Sequence, residues 1–179
     1  MKSTNRGIHA ELKQSKPFPS LEEEVHVEIL HTAQVLGRVL GEALKPSGLS
    51  PSQFNVLRIL RGARPDSLPA GKIVERMVTR DPDLTRLLDR LEANGLVEKA
   101  RDASDRRVVN VRITRAGLEQ IEAASKSVSR RIQAALKPVG PKKLEQLGDL
   151  LELARAAARD SVEPPTTPNT EKARHDERD

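Results

Sequence analysis

The chain has 179 residues, of which 31 are Lys or Arg, 26 are Asp or Glu and none is Cys, and its formal net charge is +5. Without cysteine it forms neither disulfides nor thiolate metal sites, which excludes the disulfide-stabilised secreted scaffolds. No apolar run approaches the roughly 18 residues of a membrane span, and residues 1–20 lack the apolar stretch of a secretory signal. We therefore expect a cytoplasmic protein without a membrane partner, and the weak positive charge favours an anionic partner.

Both ends of the chain have the composition of disordered segments. Residues 1–20 are polar, and residues 160–179 contain three prolines and six acidic residues against three basic ones. Such segments bury too little apolar surface to offset the entropy of folding. We expect a disordered N-terminal arm at 1–20 and a disordered tail at 160–179.

Helical periodicity begins after the arm. Apolar residues recur there at steps of three or four, at Val25, Ile29, Ala33, Leu36, Leu40 and Ala43. This stripe predicts a helix within residues 21–45, which ends before Pro46 and Gly48.

A second helix is predicted to begin after Ser50. Ser50 is a favourable N-cap, Pro51 suits the first helical position, and Gln53 completes a capping box. Leu49 and Phe54 occupy the two positions of a hydrophobic staple.

Two shorter helices are predicted next, the first from about Ala70 to Met77. The second, at 82–93, begins near Asp81 and Pro82 and has leucines spaced as i, i+3, i+4 and i+7. These leucines are Leu84, Leu87, Leu88 and Leu91. Asn94-Gly95 ends this helix, because both residue types tolerate the left-handed conformation of a helix C-terminus.

The pattern then changes to a period of two. Residues 96–99 and 109–113 read as strands, and residues 101–106 form a polar turn between them. Two further helices are predicted on either side of a break at 137–141 that contains proline and glycine. The predicted fold class is mainly α, with one small β-hairpin.

A short helix, a tight turn, a second helix and a hairpin follow the plan of a winged helix-turn-helix, whose second helix enters the DNA major groove. If that helix buries its leucines, Thr85, Arg86 and Arg90 lie on the opposite face. Arginine there binds a guanine edge or a phosphate, and threonine contacts a phosphate or a thymine methyl group. Arg106 and Arg107 lie beside the tip of the wing, where arginine suits a narrow minor groove.

The stretch 68–117 resembles the MarR family of winged helix-turn-helix transcriptional regulators, and the resemblance is carried by residues 84–117. The motifs that carry the resemblance are Leu-Leu-Asp-Arg-Leu at 87–91, Asn-Gly-Leu-Val at 94–97, Asp-Arg-Arg at 105–107 and Ile-Thr-x-x-Gly at 113–117. These motifs keep the family's spacing, and the helices before and after them match its arrangement over residues 25–158.

The resemblance implies a homodimer in which the helices at 21–45 and 115–159 interlock with those of a second chain. Residues 46–114 would form the DNA-binding winged domain. Many relatives repress genes from a pseudo-palindromic operator and release it when a small effector binds between the dimer helices and the winged domain. The implied DNA-binding residues are Pro82, Asp83, Thr85, Arg86, Arg90, Asp105, Arg106 and Arg107, with Asp105 holding Arg107 by a charge-assisted hydrogen bond.

Acidic residues at the start of the reading helix depart from the family pattern. Asp81 and Asp83 flank Pro82, where many relatives have neutral or basic residues. Acids favour the dipole of a helix N-terminus but oppose a phosphate at the same place. Asp83 then either lies away from the DNA backbone or accepts from a cytosine amino group.

No catalytic residue, metal site or cofactor is predicted, because no phosphate-binding glycine loop and no nucleophile triad can be assembled. The effector is unknown. With Phe18 and Phe54 as the two aromatic residues, a pocket that stacks its ligand on Tyr or Trp is excluded.

Several alternatives remain open from the residues alone. Arg86 and Arg90 could pair with Asp89 or Glu92 on a solvated helix face. Asp105 could form a local Asx turn, which could coexist with holding Arg107. The whole protein could be a helical dimeric interaction module whose winged domain does not bind DNA specifically, and the acids that favour this alternative are Asp81, Asp83 and Asp89, on or beside the reading helix.

Overall fold

The computed structural model describes residues 7–79 and 83–162, and within them the chain is mostly helical with one small antiparallel sheet. The helices are α1 (Ile8–Glu11), α2 (Leu21–Leu44), α3 (Pro51–Gly62), α4 (Ala70–Arg76), α5 (Leu84–Ala93), α6 (Arg115–Leu136) and α7 (Pro141–Val162). The strands are β1 (Leu68–Pro69), β2 (Val97–Arg101) and β3 (Val109–Ile113). The predicted fold class is confirmed. None of the described helices has both the length and the apolar character to cross a membrane.

The start of α3 matches the predicted capping box. The Ser50 hydroxyl oxygen accepts from the Gln53 backbone N–H at 3.2 Å, and the Gln53 side-chain oxygen accepts from the Ser50 N–H at 2.9 Å. Leu49 and Phe54, the predicted staple pair, are both buried. These local contacts fix where α3 begins and how the chain enters the core.

The core joins α3, α5 and the hairpin. Leu87, Leu88 and Leu91 of α5 are buried, as their spacing predicts. They belong to one cluster with buried residues of the neighbouring elements, among them Val56, Leu57, Leu60, Val97, Val111, Ile113 and Ile121. Burying the leucine face of α5 leaves its polar face outward.

The sheet has a third strand that the sequence analysis did not predict. β1 pairs antiparallel with β3, with Leu68 opposite Val111 and Pro69 opposite Asn110. The sheet order is therefore β1-β3-β2, and the expectation that strands are confined to one hairpin is wrong. Two residues are too few to show an alternating pattern, and the pairing depends on residues more than 40 positions away.

The predicted disorder of the N-terminal arm is wrong where the structure describes it. Residues 8–11 form α1, in which Ile8 and His9 are buried, and the His9 ring lies 4.8 Å from that of Phe18. The buried Ile8 and contacts of His9 and Glu11 with Glu24 and His31 of α2, at 3.9 and 3.3 Å, hold this segment against α2, so composition alone misses it. The predicted tail also begins too early, because α7 continues to Val162; residues 163–179 lie outside the described residues.

The junction between α5, the sheet and α6 is built from backbone contacts. α5 ends with the N–H groups of Gly95 and Leu96 bonded to the carbonyls of Glu92 and Leu91, and Gly95 has a φ of +70°. This is the Schellman arrangement that an Asn-Gly terminus favours. Thr114, directly before α6, donates its N–H to the Leu96 carbonyl at 3.1 Å and its hydroxyl to the Gly95 carbonyl at 2.7 Å.

Gly117 lets α6 approach this junction closely. Its N–H donates to the Thr114 hydroxyl oxygen at 3.0 Å. A Cβ atom at Gly117 would lie 2.1 Å from the Leu96 carbonyl oxygen and 2.9 Å from Ile113 Cγ1. Because the nearer of these atoms is backbone, it cannot move away without shifting the turn.

We expect Gly117→Ala to lower the free energy of unfolding by about 1–3 kcal/mol, the usual cost of overpacking. Gly71→Ala is the matched control, since Gly71 is helical with nothing within 4 Å of its Cβ position. That change should raise stability by up to about 1 kcal/mol. Urea unfolding followed by circular dichroism measures both, and a Gly117→Ala protein as stable as the parent would contradict the close approach.

Candidate nucleic-acid interface

The start of α5 is set by Asp83. The Asp83 carboxylate accepts from the Arg86 backbone N–H at 3.3 Å, and α5 itself begins at Leu84. The predicted helix 82–93 therefore begins too early, because Asp83 is the N-cap rather than a helical residue. Pro82 lies outside the described residues. The cap gives the acid at this position a structural role that the sequence analysis did not assign.

The outer face of α5 presents the predicted DNA-contacting side chains. Thr85, Arg86 and Arg90 are all exposed. The Arg86 side chain is 78% exposed, and its Nε lies 3.1 Å from the Asp83 carboxylate. Arg90 forms no ion pair with any residue that the structure describes. Of the two arginines, Arg86 therefore has an intramolecular partner that a DNA contact of its guanidinium would replace.

The other acids of α5 do not pair with its arginines. Lys99 of β2 places its ammonium between Asp89 and Glu92, at 2.9 Å from Glu92 Oε2, and its backbone N–H donates to Glu92 Oε1 at 3.0 Å. The hydrogen bonds that the Lys99 ammonium donates to the carboxylates of Asp89, the larger cause, and Glu92 raise the pKa of Lys99. The alternative in which Arg86 and Arg90 pair with these acids is not what the structure shows. No local pattern in the sequence indicates the role of Lys99, because only the packing of β2 against α5 brings it to the helix.

The tip of the wing is organised by Asp102, which the sequence analysis also missed. One carboxylate oxygen accepts from the Ser104 hydroxyl at 2.5 Å and from the backbone N–H groups of Ser104 and Asp105, at 2.9 and 3.2 Å. The other oxygen accepts from the Asn110 amide at 2.9 Å. These donors, the Ser104 hydroxyl foremost, hold the pKa of Asp102 well below its usual range. The signal was present in the sequence, since Asp-x-Ser-Asp favours this type of turn.

Asp105 holds the backbone of Arg107 rather than its side chain. The Asp105 carboxylate accepts from the Arg107 N–H at 2.9 Å, which is an Asx turn. The local Asx turn is therefore present, and among the described residues the Asp105 carboxylate forms no ion pair with the Arg107 guanidinium. Arg106 and Arg107 are exposed, and neither forms an ion pair with a described residue.

A cavity of about 550 Å³ lies beside the helix-turn-helix. Its walls come from α2, α3 and α6, and from residues 77–79, which follow α4. Phe54 lines it, whereas Phe18, the other candidate for an aromatic wall, packs against His9 instead. Arg58 contributes the cationic side chain of the lining, and Val78, at 82% exposed, has the most exposed large hydrophobic side chain among the described residues.

Comparisons with known proteins agree with this geometry. Residues 49–109 match the model of the MarR family. The HTH-type transcriptional regulator YdgJ of Bacillus subtilis is 30% identical over 129 residues, which cover 72% of this chain and 77% of that protein. The HTH-type transcriptional repressor MdtR of the same organism is 27% identical over 65% of this chain and 76% of that protein. A solved MarR transcription factor from Planctomyces limnophilus is 33% identical, with a TM-score of 0.59 over 76% of this chain and 99% of that one.

We expect Asp102→Ala to loosen the wing tip without unfolding the protein. Amide hydrogen exchange at Ser104 and Asp105 should accelerate, because their N–H groups lose their acceptor, while the thermal midpoint changes little. Glu98→Ala removes an exposed acid from the same hairpin and serves as the control.

The same contact predicts a pH dependence. Since the folded-state pKa of Asp102 is depressed, its contribution is fully present above the unfolded-state value near pH 3.9 and is lost progressively as pH falls from there through the lower folded-state value. Exchange protection at Ser104 should therefore be constant from about pH 5 upward. Unchanged protection in Asp102→Ala would show that the turn does not depend on this carboxylate.

Proposed function

This chain belongs to the MarR family of transcriptional regulators, and from that premise we propose that it is a homodimeric, ligand-responsive repressor of a pseudo-palindromic operator. One observation carries the DNA-binding part of the proposal. Exposed arginines lie on two separate segments, the outer face of α5 and the wing tip. The two segments are held by one hydrophobic core, by capped turns and by the paired strands of the sheet. Arg86 and Arg90 would read or grip the major groove, and Arg107, with Arg106 beside it, would enter the minor groove. Pro82, Asp83 and Thr85 would complete the DNA-binding set at the start of the reading helix.

Unpartnered apolar side chains support the dimer. α7 exposes Leu147, Leu150 and Leu153, and α2 exposes Val25 and Ile29. Leucines left exposed along a helix at steps of three are typical of a surface that another element covers. A second copy of the chain would cover these helices and place two reading helices about 34–36 Å apart, one turn of DNA. Such a regulator acts where its operator is, so the proposal includes a cytoplasmic location.

The cavity beside the helix-turn-helix supports a small-molecule effector. Its walls belong to the helices proposed for the dimer, α2 and α6, and to α3 of the winged domain. Met77, Val78 and Thr79 complete the lining, and they lead along the chain toward α5. A ligand that contacts these residues would therefore act on the segment that precedes the reading helix.

The acids that favoured a non-DNA interaction module have internal partners. Asp83 caps α5, and Asp89 is bound by Lys99. These internal partners weaken the observation that favoured this alternative; Asp81, the third of those acids, lies outside the described residues.

A salt titration tests the proposal. We expect the dimer to bind a duplex from the region upstream of its own gene, with log K falling steeply and linearly with log salt as phosphate counterions are released. A dimer with 6–10 phosphate contacts loses about 10³–10⁵ in affinity between about 50 and 200 mM salt. A random duplex of equal length is the control. Failure to retain any duplex at low salt would overturn the proposal in favour of a protein-interaction module.

Arg107 at the wing tip can be tested by substitution. Arg107→Ala should weaken operator binding by about 1–3 kcal/mol, because it removes a groove-inserted cation without touching the core. Arg115→Ala removes an equal charge from the 92%-exposed side chain at the start of α6 and should bind almost normally. Fluorescence anisotropy measures both. Normal affinity in a folded Arg107→Ala dimer would exclude the minor-groove role.

A further inference from the structure

We propose that Lys99 is a positioning residue for DNA binding: through Asp89 and Glu92 its single positive charge offsets the one excess negative charge of α5 and its cap, which makes the outer face of that helix acceptable to a phosphate backbone. The inference rests on the proposed function, since it concerns how the reading helix approaches DNA. It assigns a role in binding to a side chain that need not contact DNA.

The position of Lys99 in the sheet explains why its ammonium reaches α5. Lys99 pairs with Val111 in the middle of the β2–β3 ladder, two residues after the buried Val97. Side chains two residues apart share one face of a strand, so Lys99 points to the core side of the sheet, where α5 packs. Its side chain is 22% exposed, which fits a buried stem with the charge emerging at the edge of the core.

Lys99 makes three links to α5. Its ammonium contacts Asp89 and Glu92, and its backbone N–H donates to the second oxygen of Glu92. Glu92 is thus held from both sides, and Asp89 is drawn toward the strand. The Asp89 and Glu92 side chains remain 55% and 42% exposed, so their charges still act on the surroundings of the helix.

The charge balance of α5 requires such a partner. Between Asp83 and Ala93 there are three carboxylates and two guanidiniums, so the reading helix with its cap is acidic by one charge. Like charges brought together at an interface are strongly unfavourable, and here the helix would meet phosphates. Lys99 adds one positive charge from the side of α5 that packs on the sheet, so α5, its cap and Lys99 together are neutral. Arg86 and Arg90 remain as the cations on the outer face.

The test is a set of variants measured against the same operator and random duplexes. Lys99→Met keeps the length of the side chain and removes its charge. We expect it to lower affinity for both duplexes at least about tenfold, because α5 and its cap then carry one excess negative charge close to the phosphates. Lys45→Met is the matched control, since Lys45 forms a comparable ion pair with Glu42 at 2.7 Å, at the end of α2.

Rescue separates neutralisation from direct contact. In the background Asp89→Asn with Glu92→Gln, no acid remains to be neutralised, so Lys99→Met should cost less than about twofold there. A lysine that touched a phosphate would behave differently: its loss would persist in this background and would reduce the slope of log K against log salt by about 1. That result would overturn the inference.

Stability measurements and a second variant distinguish the proposed effect on DNA binding from a loss of folding. Lys99→Gln and Lys99→Met are compared by thermal unfolding, and binding is measured at temperatures where each is folded. If Lys99→Met is unfolded, Lys99→Gln takes its place in every arm. An affinity loss that only follows the fraction unfolded overturns the inference. Parent protein that binds DNA while the lysine variants bind equally well also overturns it, whereas a parent that binds no duplex overturns the proposed function itself.

Discussion

The contact between the carbonyl of Leu96 and the start of α6 is the constraint on which the rest of the winged domain depends. Leu96 lies between the end of α5 and the beginning of β2, and its carbonyl accepts from Thr114, which lies between β3 and α6. One backbone group therefore joins the reading helix, both strands of the wing and the long helix that follows. Gly117 is required there because α6 packs on the same carbonyl with no space for a side chain. α6 is held further along by Gln120 and Ser127, which donate to the carbonyls of Ser47 and Ala43.

Some charged side chains of the winged domain stabilise its fold through internal contacts, and others are exposed on its surface, where a partner can bind them. Acidic residues form most of the internal contacts of the domain that involve charge: Asp83 caps α5, Asp102 organises the wing tip, and Glu92 links α5 to β2. The arginines of the wing tip remain exposed at positions that these acids define. The net charge of the chain, +5, says little about this division, because the function depends on which charges are already bound within the fold.

Local patterns in the sequence predicted the parts of the fold that depend on neighbouring residues. The leucine period of α5, the capping box at Ser50 and the Asn94-Gly95 terminus are all present, because each is decided within one or two turns of helix. The parts that were missed depend on distant partners. β1 exists through its pairing with β3, and Lys99 meets Asp89 through the packing of a strand on a helix. The turn at Asp102 was visible in the sequence, but its role could be assigned only once Asn110 was known to complete it.

The ion pair between Arg86 and Asp83 has a consequence for selectivity. The same carboxylate caps α5 and holds the arginine nearest the start of the reading helix. A base that binds this guanidinium must offer more than the carboxylate it replaces, and the two acceptors of a guanine edge do so more readily than a single acceptor. Under the proposed base contact, Asp83 would compete with DNA for Arg86, and weakly matching sequences would leave Arg86 bound to its own helix. In such an arrangement, discrimination between operators would come from an exchange of partners as much as from the strength of any new bond.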